Sequence, residues 1–123
     1  MGYTIDISNE TYIRITISGI ADKETLLAAA AEVLSHPQYV TKHTLWDFSE
    51  AALGLTIHDL KELVGIFGLY KPAVKDFSNK SALLVPGEMH RAIGQVFVSM
   101  TRLLPVKYRV FNDLEAAEAY LYS

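Results

Sequence analysis

The chain has 123 residues, half of them hydrophobic and a fifth charged, with a formal charge of −3 and no cysteine. That length and balance predict one globular domain spanning residues 1–123 and exclude a disordered chain. The missing cysteine excludes disulfides, thiolate metal sites and thiol nucleophiles, and the negative charge without any basic run argues against nucleic acid as a partner.

The first segment, residues 3–8, alternates Tyr3, Ile5 and Ile7 with Thr4, Asp6 and Ser8, which predicts a strand with one wet face. Residues 11–18 repeat the pattern with Ile13, Ile15 and Ile17 against Arg14, Thr16 and Ser18, so the two strands are expected to pair as an antiparallel hairpin that ends at Gly19. Asp22 is placed to cap a helix whose Leu26, Leu27, Ala30, Ala31 and Leu34 recur at helical spacing, with Pro37 as its stop. Residues 43–48 read as a third strand with Trp46 and Phe48 on one face and Leu45 and Asp47 on the other, followed by a loop over 49–55.

Thr56, with Asp59 three residues on, predicts a capping box for a second helix with Leu60, Leu63, Val64 and Phe67 inward and Pro72 at its end. The unbroken apolar run within 80–85 predicts a central strand covered on both faces. Pro86 and Gly87 open a third helix carrying Ile93, Val96, Phe97, Met100 and Leu104, and Pro105 closes it. Residues 106–111 form a last strand whose Lys107 and Arg109 mark an edge. Asn112 with Glu115 predicts a capping box for a terminal helix that turns Leu114, Ala117 and Leu121 inward.

The order is therefore ββαβαβαβα: an α/β domain with a mainly parallel five-stranded sheet, an N-terminal antiparallel hairpin and four helices. Because the outer strands each keep a polar face, most helices are expected on one side of the sheet. Asp6, Glu10 and Arg14 interrupt the N-terminal segment, unlike the apolar core of a leader, and the longest uncharged run, 92–101, is too short to span a bilayer. The expectation is a cytoplasmic protein without a transmembrane segment.

Three segments, the hairpin over 3–18 running into Asp22, the strand Leu45-Trp46-Asp47-Phe48-Ser49, and the strand-cap-helix stretch from Val110 to Leu121, resemble the anti-sigma-factor-antagonist (STAS) fold. The resemblance covers nearly the whole chain and is nearest to the SpoIIAA-like branch, often described as related to lipid-binding CRAL-TRIO domains. It implies a regulatory or protein-interaction module and no uniform activity. Sporulation-type members of the family use a phosphorylatable Ser at the start of the helix after the third strand. The hydroxyl in the similar place here is Thr56, and the family's Asp-Ser-Ser-Gly run is absent, since Leu55, Thr56, Ile57 and His58 stand there.

Four features are weighed for function. Thr56 is a helix cap or a phospho-acceptor. Asp47, Ser49 and Gly87 lie where parallel sheets gather ligands, beyond the carboxyl ends of strands, and form either an anion site or a structural loop. His36, His43, His58 and His90 show no metal-ligand spacing and no Ser-His-Asp logic, so neither a metal, a cofactor nor catalysis is expected. The second helix carries more apolar residues than one inward face needs, and Gly65 and Gly68 would let another surface approach. Ile66, Phe67, Leu69 and Tyr70, with Phe97 and Met100 of the third helix, are the expected interface or apolar-ligand patch. The leading reading is a non-enzymatic interaction module, with a homodimer as one expected assembly. The alternative is a carrier of a small apolar or lipid-like ligand between the second and third helices.

Overall fold

Alternation in the first segments produces the hairpin. In the computed structural model, which describes residues 2–69 and 79–123, β1 (Tyr3–Asp6) pairs antiparallel with β2 (Tyr12–Ala21). The chain continues through α1 (Lys23–Leu34), β3 (His43–Leu53), α2 (Ile57–Gly68), β4 (Lys80–Leu84), α3 (Glu88–Met100), β5 (Lys107–Phe111) and α4 (Leu114–Tyr122). The strands lie side by side in chain order, β1-β2-β3-β4-β5, and every pairing after the first is parallel. The expected element order, the mainly parallel sheet and the N-terminal hairpin are all present.

Period-two alternation sorts the side chains into two layers. Ile13, Ile15 and Ile17 of β2, Trp46 and Phe48 of β3, and Leu83 of β4 pack with Leu26, Ala30 and Val33 of α1, Leu60 and Phe67 of α2 and Phe97 of α3. The opposite face brings Tyr12, Leu45, Ala82 and Leu84 against Ala117 and Leu121 of α4 alone. Three helices thus cover one face and a single short helix part of the other, as the polar faces of the outer strands require. Buried polar groups on the sheet are matched: the Thr44 and Ser81 hydroxyls bond each other at 2.8 Å between β3 and β4.

The caps act as their chemistry dictates. The Asp22 carboxylate accepts from Thr25 N at 2.9 Å and starts α1. At α4 the cap is Asp113, which accepts from Ala116 N at 2.8 Å, rather than Asn112. Both residue types suit the role, but Asn112 stands in the bend one residue before the cap, and the helix starts one residue later than expected.

Two boundaries differ from expectation. Gly19 does not end β2: at φ +72° it carries the strand past an irregularity between Thr16 and Ser18 and on to Ala21. Residues 49–53, expected as loop, are strand, because they pair with that extension of β2, from Ser18 against Glu50 to Ala21 against Leu53. Backbone pairing, which leaves no trace in the composition of Glu50-Ala51-Ala52, supplies the order there. Pro72, expected at the end of the second helix, lies outside the described residues.

Candidate functional site

Helix α2 begins as its first residues predict. The Thr56 hydroxyl oxygen accepts from Asp59 N at 3.1 Å, and the Asp59 carboxylate accepts from Thr56 N at 3.0 Å. This reciprocal box satisfies two orphan donors and leaves Thr56 exposed. Thr56→Ala is expected to lower stability by about 1 kcal/mol, and Thr56→Ser by far less, read from urea unfolding midpoints.

The same helix divides its apolar residues between two sides. Leu60, Leu63 and Phe67 are buried, whereas Ile66 is 38 % and Leu69 73 % exposed. A side chain at Gly65 would meet nothing within 4 Å, so the outward side of the helix is flat there. Gly68 is half-buried instead: an added Cβ would come within 3.3 Å of Leu104 Cδ2, the tip of a side chain that would have to shift by a few tenths of an ångström. Ile57, one of the apolar residues in excess of an inward face, is also exposed at the helix start. Below it His58 Nε2 lies 2.8 Å from Glu62 Oε1, and Lys23 of α1 reaches Glu62 at 3.2 Å. The i, i+4 spacing of His58 and Glu62 was the available signal for that contact.

The expected patch is therefore corrected. Phe67 and Phe97 do not join Ile66 and Leu69 at the surface. They are core residues, with Phe67 edge-on to Trp46 at 5.8 Å, to Phe97 at 6.2 Å and to Tyr108 at 5.9 Å between ring centres. Met100 is half-buried beside them. Tyr70 lies outside the described residues. The rings border an apolar cavity of about 50 Å³ between α2, α3 and the sheet. Its volume is well below the roughly 300 Å³ and more of ordinary ligand pockets.

Asp47, Ser49 and Gly87 do not form one site. The Asp47 carboxylate faces the α4 side of the sheet and is almost fully buried. Its Oδ2 is 2.6 Å from Arg14 Nη2, while its Oδ1 accepts from Ser49 N at 2.9 Å and from the Ser49 hydroxyl at 2.5 Å. Burial alone would raise its pKa, but the Ser49 hydroxyl, the Arg14 guanidinium and the Ser49 N–H together hold it below the usual carboxylate value. Gly87, at φ +93°, opens α3 on the other side of the sheet without any side-chain cap. A carboxylate already satisfied by an arginine does not recruit an anion. Arg14 was the residue that sequence reasoning left out, although it stands on the polar face of the strand next to Asp47.

The histidines stay apart. His58 and His90 sit on helices of the three-helix layer, with the sheet between them and the Asp47 carboxylate. The His43 imidazole accepts from Lys80 N at 2.9 Å, and burial, with the nearby Lys80 charge, lowers its pKa. No group of three or more His, Asp or Glu able to hold a metal occurs among the described residues. None of the described helices is long and apolar enough to cross a membrane.

No family model matches the sequence, and no curated protein matches it. Solved structures do match. One is an uncharacterized protein of the DUF3478 family from Shewanella loihica PV-4, described as having a SpoIIAA-like fold. It shares 20 % identity at a TM-score of 0.58, over 97 % of this chain and 91 % of that one. Another is the Bacillus cell fate determinant SpoIIAA in its phosphorylated form, with 12 % identity and a TM-score of 0.51, over 96 % and 98 % of the two chains. The chain thus matches known folds along nearly its full length, and the protein has a SpoIIAA-like fold.

Proposed function

We propose that the protein is a non-enzymatic regulatory or protein-interaction module whose docking surface is the outward side of α2. The observation that carries this reading is the exposure of Ile66 and Leu69 beside an open Gly65, on a helix whose inward side is already filled by Leu60, Leu63 and Phe67. Apolar side chains gathered at a flat helix surface gain by burial against another protein. The fold it shares with a cell fate determinant solved in phosphorylated form supports a regulatory rather than a metabolic role.

Thr56 would be the control point of this surface. A phosphoryl group on its hydroxyl would add about −1.5 to −2 charges at the positive end of α2. The Asp59 carboxylate, already seated at Thr56 N, opposes that added charge, so modification would loosen the box and change the surface next to Ile57. Phosphate mapping by mass spectrometry on protein from its native cell tests this directly.

A second copy of the chain is the first partner to test, since two-fold dimers are the commonest soluble assemblies. Light scattering over a range of concentrations should show a dimer that Ile66→Glu with Leu69→Glu converts to monomer. A monomer throughout directs the test to affinity enrichment, in which the same double substitution should remove a partner held by the wild type. A monomer whose partners are indifferent to both changes would end this reading.

A further inference from the structure

A second surface, independent of α2, lies at the β5 edge of the sheet. Lys107 N donates to Asn79 O at 3.2 Å and Val85 N donates to Phe111 O at 2.8 Å, so the odd-numbered residues of β5 turn their backbone groups toward β4. Alternation then turns the N–H and C=O groups of Tyr108 and Val110 outward. Among the described residues, no strand pairs with that edge.

Three cations stand around it. Arg102, Lys107 and Arg109 are exposed, and none makes an ion pair among the described residues. Arg109 is held in place: its guanidinium lies 5.5 Å from the Phe111 ring centre and 5.7 Å from that of Tyr120. Stacking engages the face of the guanidinium and leaves its N–H groups free for a carboxylate. Lys107 and Arg109 share the α4 side of the strand. On the α3 side an open groove of about 210 Å³ is lined by Val98, Thr101, Arg102, Val106 just before the strand, and Tyr108, and it reaches Lys107 at its rim.

We propose that the β5 edge docks an extended acidic segment of a partner protein by strand addition. Its backbone would bond the free groups of Tyr108 and Val110. Its acidic side chains would alternate toward Lys107 and Arg109, and small apolar ones toward the groove, as the two-residue period demands. A second copy of β5 is the wrong occupant, because two such edges would set like charges against each other; basic residues on an edge strand discourage self-pairing. Charge complementarity therefore selects the partner, on a chain that is acidic as a whole.

The test uses the full chain and a short peptide alternating Glu with Val, at low salt. Amide exchange followed by NMR should show new protection at Tyr108 N–H and Val110 N–H. Lys107→Glu with Arg109→Glu should weaken binding at least about tenfold, as should Arg102→Glu to a lesser degree, and a peptide with Lys in place of Glu should not bind. All three substituted residues are exposed, so the fold should survive, which the unchanged amide spectrum of the core verifies. Failure of the wild type to bind, binding that leaves Tyr108 and Val110 unprotected, or binding indifferent to the charge reversals would each overturn the proposal.

Discussion

Phe67→Ala is expected to destabilise the protein by about 4 kcal/mol and to lower its melting temperature by roughly 15 °C. Phe67 stands at the centre of the ring cluster, edge-on to Trp46, Phe97 and Tyr108. Removing its ring deletes those contacts and merges the vacated space with the cavity of about 50 Å³ already beside it. A larger cavity that the surroundings cannot close raises the cost above the transfer free energy of the ring alone. Against a total stability of roughly 6–18 kcal/mol for a chain of this length, the loss is large. Leu69→Ala, two residues on at the C-cap of that helix, should stay within about 0.5 kcal/mol, because that side chain is exposed. Thermal and urea unfolding of the two variants, run side by side, check the division of α2 into an inward and an outward side. Equal costs would refute it.

The second large effect is expected at Arg14. Replacing it by Met leaves the almost fully buried Asp47 carboxylate with only its Ser49 bonds. Breaking a fully buried pair costs about 3–5 kcal/mol, but the Arg14 side chain is 36 % exposed and water can take part of its place, so about 2 kcal/mol is expected at neutral pH. The pH dependence follows from the sign of the shift. The folded pKa of Asp47 lies below its unfolded value of about 3.9, so the stabilisation is complete above that value and is lost as pH falls through the lower folded one. Without Arg14 the burial of Asp47 is opposed less, its folded pKa rises, and the variant benefits from protonation at a higher pH. The stability gap between wild type and Arg14→Met should therefore be widest near neutrality and shrink below about pH 4. A gap that stays constant down to acid pH would show that the ion pair contributes nothing.

Local signals carried most of the fold. Strict alternation around Ile13, Ile15 and Ile17 specified the hairpin, and the short polar side chains at Asp22 and Thr56 marked two helix starts correctly. The inward side of α2 was legible too. Leu60, Leu63 and Phe67 follow helical spacing, so the burial of Phe67 was already contained in that pattern, and grouping it with Leu69 mixed two sides of one helix. What was not legible depended on partners distant in sequence. Residues 49–53 became strand only because an extension of β2 lies beside them, and that extension requires Gly19 and the irregularity before it. The Arg14–Asp47 pair depends on the register of β2 against β3, which no local pattern encodes. Asp47 was expected at the carboxyl end of its strand, but β3 runs on to Leu53 and keeps it mid-strand, and alternation sends its side chain to the far side of the sheet from the helix that Gly87 opens.

The sequential filing of the strands bears on how the molecule is made. Each new strand leaving the ribosome finds its neighbour already in place, and none has to be threaded between two others. Only the far side of the sheet must wait. Tyr12, Leu45, Ala82 and Leu84 stay bare until the final helix is synthesised and Ala117 and Leu121 close over them. A nascent chain stalled short of that helix would present a sticky, half-finished slab, the form of this protein that a chaperone has most reason to hold.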